Sequence, residues 1–416
     1  MSRTVAIVGA LDTKGEDFRY VKELIEGEGL STLVVDFGVM GAPKLHADIG
    51  RAEVAAAGGG DLGRMSSGKH KDEAMESMAA GLTIIVARLH AEGRLDGILS
   101  MGGTGGTSIA TRAMRALPVG VPKLMVSTIG GGDVSAFAGT KDITFMPSIV
   151  DVSGVNRISR RIYANAAGAI SGMVRMKASA GAEDKRLVVA SMFGNTTVAV
   201  EHAKSILEGK GYELLVFHAT GTGGRTMEAL ITDGYISGSL DITMTELADE
   251  ICGGVMSAGP DRGLAASLAG IPTVLVPGCV DMANFGGVET VPQRYLNRNL
   301  YKWNLDVTLL RTNIEENRWI GERIAAAANA ATGPVAVLLP LKGVSMLDSE
   351  GHEFWDPAAD IACFDKIRGG LNADIPLIEV DANINDPKFS GKVAETLLGL
   401  MAGRTLSVPR RQLGVS

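Results

Sequence analysis

The stretch Ile98–Thr107, ILSMGGTGGT, decides how the first half of this chain folds. Its apolar beginning is typical of a buried parallel strand, and Ser108–Leu117 after it has the pattern of a helix. Four glycines between them leave backbone amides open to close approach by a ligand, and the start of a helix adds unpaired amides that favour an anion such as phosphate. The candidate phosphate-contacting residues are Gly102, Gly103, Thr104, Gly105, Gly106 and Thr107.

Length and composition restrict the classes of protein to consider. The chain has 416 residues, which exceeds the usual size of a domain with a single hydrophobic core. We therefore expect two domains, at residues 1–178 and 186–405. Hydrophobic residues make up 46% and no apolar segment is long enough to cross a bilayer, so we expect no membrane partner. The opening residues leave no room for a signal peptide, which favours the cytoplasm. A net charge of −7 argues against a nucleic-acid partner.

The two halves of the chain resemble each other. Val5–Val8 and Leu33–Val35 have the pattern of strands joined by a helix, and residues 4–40 align without a gap on residues 186–222 at an offset of 182. Ser179–Lys185, small and charged, is the candidate linker. The sequence therefore predicts an α/β fold of two Rossmann-like parallel-sheet domains, related by an internal repeat, with a ligand cleft between them.

Loops that follow parallel strands gather at one edge of the sheet, where ligands bind. Asp36 could hold a ribose hydroxyl or cap a turn, and Asp133 could bind Mg²⁺ through water or cap a helix. Thr13 and Glu16 have the spacing of a capping box. A GTGG segment in the second half repeats the one in the first. Besides the first loop, the candidate cofactor-binding residues are Asp12, Thr13, Lys14, Asp36, Thr128, Gly130, Gly131, Gly132, Thr220, Gly221, Thr222, Gly223 and Gly224, with Asp133 for the metal.

Each of these features also has a purely structural interpretation. Neither GxGxxG nor GxxxxGK[ST] occurs, and the glycines could serve only tight strand-to-helix packing. His218, at a predicted strand end, and Lys342 are candidate catalytic groups for proton transfer or for holding an anion, although a lone histidine is often only hydrogen-bonded. The methionines near Met75 are interpreted as core filling, and Glu246, Asp249 and Glu250 as a solvated acidic helix face.

Five ordered motifs resemble the Tm-1-like ATP-binding proteins, also called the UPF0261 family. They are VAIVGALDTKGEDFRYVKELIEGEG, MGGTGGT, STIGGGDVSAFAG, FHATGTGGRTMEAL and LPLKGVSMLDSEGHEFWDP. The plant member of that family is an antiviral factor whose N-terminal region binds ATP in a dimer-forming α/β fold of two subdomains. The resemblance implies this fold, nucleotide binding and a homodimer here, but not antiviral activity.

Three hypotheses follow for the function. The first is a nucleotide-binding protein that holds the phosphates of ATP, with Mg²⁺, on the two glycine loops at residues 102–107 and 130–132. The second is a metabolic enzyme that acts on a small phosphorylated or carboxylated substrate between the halves. The third is an interaction protein that works through the apolar face of the helix around Ile158–Val174.

Overall fold

The computed structural model describes residues 3–66, 71–177 and 185–404. Its chain divides into two compact units, Met1–Ala180 and Gly181–Ser416, called unit 1 and unit 2 below. Most of the predicted linker lies outside the described residues. No helix among the described residues is long and apolar enough to span a membrane.

Unit 1 is a five-stranded parallel sheet with helices on both faces. Its strand order is β2-β1-β3-β4-β5, so the first strand lies inside the sheet and the chain then turns to its other side. The elements are β1 Thr4–Gly9, α1 Leu11–Gly27, β2 Ser31–Asp36, α2 Arg51–Ala57, α3 Leu62–Met65, α4 Lys71–Ala91, β3 Gly97–Gly102, α5 Thr104–Arg115, β4 Lys123–Ser127, α6 Ser135–Ala138, β5 Thr144–Pro147 and α7 Ser159–Arg175.

Alternate residues of β1 supply two separate cores. Ala6 and Val8 pack with α4 and α5 on one face of the sheet, while Val5 and Ile7 pack with α1 and α7 on the other. All four side chains are fully buried. A strand covered on both faces has no polar side, which is why the β1 sequence is a continuous apolar run rather than an alternating one.

Unit 2 repeats this plan and extends it. Its parallel sheet has the order β14-β13-β9-β8-β6-β7, and a second, antiparallel sheet has the order β10-β12-β11. The elements are β6 Leu187–Met192, α8 Thr197–Glu208, β7 Glu213–His218, α9 Thr222–Thr232, β8 Gly238–Thr243, α10 Thr245–Cys252, α11 Ala265–Leu268, β9 Thr273–Gly278, β10 Met282–Phe285, β11 Leu300–Lys302, β12 Thr308–Arg311, α12 Ile314–Asn329, β13 Val335–Pro340, α13 Pro357–Gly370, β14 Leu377–Val380 and α14 Pro387–Met401.

The internal repeat is confirmed in the strand order. The order β2-β1-β3-β4 of unit 1 recurs as β7-β6-β8-β9 in unit 2, and the offset of 182 carries β2 onto β7 residue for residue. In the sequence, Asp356 directly before Pro357 predicts a helix N-cap with proline at the first helical position. This is confirmed, since the Asp356 carboxylate accepts from the amide of Ala359 at 3.2 Å.

Other expectations were wrong in detail. The apolar run at Asp306–Leu310 predicts a further strand in the series of strands and helices, but this strand, β12, lies in the small antiparallel sheet. The weak pattern of residues 47–68, rich in Gly and Ala, predicts a long excursion without regular elements, but α2 and α3 lie there. The helix expected over residues 150–177 begins only at Ser159. Four strands, β5, β8, β10 and β11, were not predicted.

Candidate functional site

The two glycine-rich turns of unit 1 lie side by side, as the sequence predicts. Gly102 at the end of β3 pairs with Ser127 at the end of β4, and the amide of Thr128 donates to the Gly102 carbonyl at 3.1 Å. The Thr107 and Ser127 hydroxyls are hydrogen-bonded to each other at 2.7 Å. Thr107 is fully buried, so its side chain ties the two turns together and does not face a ligand.

The helix that follows the first turn starts earlier than predicted. α5 begins at Thr104 rather than at Ser108, and Gly103 is its N-cap. A glycine has no side chain with which to cap the helix, and by helix geometry the amides of the first turn have no intrahelical acceptor. Among the described residues of unit 1, no side chain accepts from the amides of Thr104, Gly105 or Gly106. These three donors therefore remain available to an anion.

The glycines of this turn are not required by packing within the chain. A methyl group added at Gly103 would lie 3.7 Å from the Thr128 hydroxyl oxygen, and one added at Gly105 would lie 3.7 Å from the methyl carbon of Met75. Both are ordinary van der Waals distances, and neither residue has a positive φ. Gly105 is exposed, so the turn presents bare backbone at the surface of unit 1.

The second turn of unit 1 is held by its own backbone. Gly130 donates to the Ser127 carbonyl at 3.1 Å, and Gly132 donates to the Ile129 carbonyl at 3.0 Å. Gly131 and Gly132 are exposed. The carboxylate of Asp133 is also exposed and accepts from the amide of Ser135 at 2.9 Å, and hydrogen bonds with Ser135 lower the pKa of Asp133. The described residues contain no cluster of three or more metal-ligating side chains.

At the start of α1, in contrast to the start of α5, carboxylates of the same unit accept from backbone amides. Asp36, buried at the end of β2, accepts from the amides of Leu11 at 3.0 Å and Gly38 at 2.8 Å. Burial raises the pKa of Asp36, and the charge of Asp12 adds to this effect. Asp12 in turn accepts from the amide of Met40 at 2.7 Å. Both side chains are thus committed to the loop after β2.

The capping box expected at Thr13 and Glu16 is not formed. α1 starts three residues earlier, with Ala10 as its N-cap and Leu11 as its first residue, and the Thr13 hydroxyl donates to the carbonyl of Ala10 at 3.4 Å. The ammonium of Lys14 donates to the carbonyl of Val152. That these residues contact a cofactor stays a prediction.

The second GTGG turn, in unit 2, is filled by a carboxylate of the same chain. α9 begins at Thr222, and the buried side chain of Glu246 accepts from the amides of Gly221 at 2.7 Å and Gly224 at 3.1 Å. Glu246 also accepts from Nε of Arg262 at 2.5 Å. The interpretation of Glu246 and Asp249 as a solvated acidic face is wrong, because both are fully buried. Thr220 is exposed beside the turn.

The two candidate catalytic side chains are not brought together within unit 2. His218 ends the edge strand β7 and is exposed, whereas Lys342 follows β13 and lies 3.2 Å from the exposed Asp381 carboxylate. Four strand spacings, about 19 Å in all, separate β7 from β13. Within unit 2 they therefore cannot act on the same atom of a small substrate.

Other polar residues do converge at the carboxyl edge of the unit 2 sheet. The Ser345 hydroxyl donates to the Asp281 carboxylate at 2.8 Å, and the amide of Met346 donates to the Asn195 carbonyl at 3.1 Å. Asp281 is fully buried, and this burial, with the nearby charge of Asp348, raises the pKa of Asp281 to about 7. The arrangement is enclosed, so it is a structural network rather than an open site.

An apolar cavity in unit 1 is lined in part by Met75, a neighbour of the open glycine turn. Its volume is about 380 Å³, and Met75, which touches it, is also the nearest side chain to Gly105. The methionines interpreted from the sequence as core filling thus partly line a cavity. Its lining residues are Phe37, Val39, Met40, Met65, Lys71, Ala74, Met75, Met78 and Ile109.

The residues that sequence reasoning missed are the partners of the second GTGG turn. Glu246 and Arg262 lie 22 or more residues beyond Gly224, and no spacing connects them to it. The one signal in the sequence was the presence of two acidic residues, Asp241 and Glu246, on either side of an otherwise apolar junction between a strand and a helix. Acidic side chains that are buried in such a place need a positively charged partner nearby, which the sequence alone did not identify as Arg262.

The fold and the site define a two-unit α/β protein with Rossmann-like parallel sheets, in which the glycine-rich turn before α5 of unit 1 has no side-chain cap among the described residues. The chain belongs to the UPF0261 family. Residues 3–179 match the model described as "Uncharacterised protein family (UPF0261) N-terminal domain" and residues 185–401 match the corresponding C-terminal domain.

Relatives occur in bacteria and in a plant. The UPF0261 protein of Clostridium tetani is 50% identical over 96% of this chain and 100% of its own length. The ToMV susceptible protein tm-1(GCR26) of Solanum lycopersicum is 34% identical over 95% of this chain, which spans 56% of the tomato protein. The ToMV resistance protein Tm-1(GCR237) is 39% identical over 78% of this chain and 44% of its own length.

Solved structures add little. A putative UDP-N-acetylglucosamine 2-epimerase from Listeria monocytogenes covers 98% of this chain and 98% of its own, at 11% identity and a TM-score of 0.23. A likeness at this score carries no argument about function.

Proposed function

We propose that unit 1 binds the phosphate groups of a nucleotide at the amino end of α5, and that the nucleotide is ATP, as the family resemblance implies. The observation that carries this proposal is the unexplained glycine content of the turn. Gly103 and Gly105 have neither a positive φ nor a close neighbour that would exclude a side chain. Close approach of a ligand to bare amides is a physical reason for glycine at both positions, and at Gly105 the N-cap preference for glycine does not apply.

The neighbouring structure supports a ligand with an apolar part as well as an anionic part. Met75 both lines the cavity and lies next to Gly105, and the size of the cavity suits part of a small organic molecule. Lys71 adds a positive charge at the cavity. The proposed arrangement places phosphates on α5 and the Gly130–Gly132 turn, with the base against the methionines. Mg²⁺ would enter with the phosphates, and we propose the carboxylate of Asp133, which follows the Gly130–Gly132 turn, as its ligand.

Calorimetry with the full chain tests this proposal. We expect ATP and tripolyphosphate to compete for one site in unit 1, and adenosine without phosphates to bind much more weakly. Titrations with and without Mg²⁺ would separate the contribution of the metal. Absence of any heat with ATP, or equal binding of adenosine and ATP, would refute the proposal.

Self-association is proposed as well, since the resemblance implies a homodimer. The side chains of Ile158, Met173 and Met176 on and beside α7 are exposed, which leaves an apolar strip on unit 1. Light scattering after size-exclusion chromatography, with and without ATP, measures this directly, and a monomer at all concentrations would contradict it. The cytoplasmic location stays a prediction.

A further inference from the structure

A polar cavity lies at the amino ends of the strands of unit 1, at the opposite end of the sheet from the glycine turns. Its volume is about 600 Å³, and its lining includes Arg3 and Thr4 at the start of β1, residues 31–33 at the start of β2, and Arg94 and Asp96 before β3. The six residues of β1 separate the two ends of the sheet by about 20 Å. The cavity is therefore distinct from the position proposed for ATP.

Two carboxylates line this cavity, and each is held by a backbone amide through one oxygen only. Oδ2 of Asp48 accepts from the amide of Val34 at 2.7 Å, and Oδ2 of Asp96 accepts from the amide of Thr4 at 2.7 Å. Among the described residues, Oδ1 of neither aspartate has a hydrogen-bond partner. The amides thus fix both carboxylates in place and leave one oxygen of each for a positively charged group.

Two arginines line the same cavity without neutralising these aspartates. Arg3 donates to a backbone carbonyl of α7, and Arg94 lies 3.2 Å from the Glu92 carboxylate, with both side chains of that pair about half exposed. In the part of the chain that the structure describes, no ion pair joins Arg3 or Arg94 to Asp48 or Asp96. A ligand that carries a positive and a negative group can bridge opposite charges arranged in this way.

The outer edge of β2 adds a main-chain donor and acceptor to the cavity. β2 is the edge strand of the sheet, so alternate residues direct their N–H and C=O groups away from β1. Val34 shows this orientation, because its amide donates to the Asp48 carboxylate and its carbonyl accepts from the Asp48 amide at 2.9 Å. Thr32, two residues earlier, has the same orientation and lines the cavity. No group outside the sheet bonds to the Thr32 amide or carbonyl within the described ranges.

We infer that this cavity binds a short peptide with free termini. The peptide ammonium lies at Asp48 and Asp96, its carboxylate lies at Arg3 and Arg94, and a peptide group pairs with the free edge of Thr32. Extension of a sheet edge and capture of chain termini are both established ways of recognising peptides through their main chain. This inference is independent of the proposed function, because it uses neither the glycine turns nor a nucleotide.

Calorimetry of the full chain with trialanine tests the inference on the wild type. N-acetyl-trialanine lacks the ammonium, trialanine amide lacks the carboxylate, and free alanine has both charges but no peptide group. We expect each of these three compounds to bind at least about 10-fold more weakly than trialanine, since each loses hydrogen bonds to charged groups or to the strand edge. Absence of heat with trialanine, or equal affinity for trialanine and any of the three, would overturn the inference.

Two variants assign the terminal charges to particular side chains. Arg94→Gln should weaken trialanine binding about 10-fold and leave the affinity for trialanine amide unchanged. Asp48→Asn, whose amide oxygen can still accept from Val34, should weaken trialanine binding similarly and leave N-acetyl-trialanine unchanged. Glu23→Gln, at an exposed position of α1 outside the cavity lining, is the matched control and should bind trialanine as the wild type does. Unchanged trialanine affinity in both cavity variants would overturn the inference.

ATP separates this inference from the proposed function. Saturating ATP should leave the affinity for trialanine unchanged, because the two positions lie at opposite ends of the strands. Competition between ATP and trialanine would overturn the inference. Binding of trialanine without binding of ATP would refute the proposed function alone, and binding of ATP without binding of trialanine would refute this inference alone.

Discussion

The two GTGG turns allow one substitution to be made twice in the same tetrapeptide, with opposite expected outcomes. Gly105 in unit 1 and Gly223 in unit 2 both follow the threonine that begins a helix. Among the described residues, an added methyl at Gly105 meets only Met75, at 3.7 Å. At Gly223 it would lie 1.8 Å from the backbone carbonyl oxygen of His218, so the backbone must move.

The expected magnitudes follow from these distances. Gly105→Ala should raise the free energy of unfolding of unit 1 by about 0.5–1 kcal/mol, since alanine loses less backbone entropy than glycine in a helix. Gly223→Ala should lower that of unit 2 by about 3 kcal/mol, the upper part of the usual cost of overpacking. The methyl group at residue 105 tilts toward the helix amino end. We therefore expect it also to hinder phosphate approach and to weaken ATP binding.

Urea unfolding measures both changes separately. The three tryptophans, Trp303, Trp319 and Trp355, all lie in unit 2, so their fluorescence reports that unit, whereas circular dichroism reports both. Gly172→Ala, at an open position of α7, is the control for the general effect of alanine in a helix. A destabilised Gly105→Ala or an unaffected Gly223→Ala would refute the argument from free space. Unchanged ATP affinity in Gly105→Ala would count against the proposed phosphate position.

Three further outcomes are expected. Gly103→Val should weaken ATP binding about 10- to 100-fold, because the valine side chain would project beside Thr128 and displace the phosphates from the amides. The free energy of unfolding should change little. Calorimetry measures the ATP affinity, and urea unfolding measures the stability. Arg262→Met should lower the free energy of unfolding by about 3–5 kcal/mol, because it leaves buried carboxylates without their cation. The loss should be larger at pH 8 than at pH 5, since carboxylates are more fully ionised at pH 8. Denaturant midpoints at both pH values measure this. The pKa of Asp281 is raised to about 7, compared with about 3.9 in the unfolded chain, so between these pH values the native state holds a proton that the unfolded state has lost. The free energy of unfolding therefore falls as the pH rises from about 4 to about 7, by at most about 1.4 kcal/mol per pH unit. Asp281→Asn should remove this pH dependence, as measured by urea titrations at several pH values.

Much of the fold could be predicted because strands buried on both faces and helices buried on one have different apolar patterns. Val5–Val8 and its repeat were identifiable as continuous apolar runs, and a constant offset of 182 located β7. β8 was not predicted because Asp241, a charged residue, interrupts its apolar run. The carboxylate of Asp241 is compensated by Arg262 and the Ser191 hydroxyl, both distant in sequence. The short strands of the antiparallel sheet have too few residues for a period to show.

The boundaries of the glycine turn illustrate a different limit. The pattern of residues 108–117 predicts that α5 begins at Ser108, after the last glycine, and the low helix propensity of glycine agrees with that start. The helix begins at Thr104 because Thr107 is held between Gly103 and Ser127 by hydrogen bonds, and this tertiary contact outweighs the propensity.

The amino-acid sequence by itself determined the two parallel sheets and the neighbouring position of the two glycine turns in unit 1, because apolar periodicity and strand ends are local properties. It could not determine which of the two GTGG turns is open, since their four residues are identical. Only the tertiary structure decided this, because it places the carboxylate of Glu246 and the guanidinium of Arg262 at one turn and, within residues 3–66, 71–177 and 185–404, no such pair at the other. The physical reason is that the amides at a helix start can be paired with charged side chains from segments distant in sequence. The residues around the turn do not determine whether such side chains lie there.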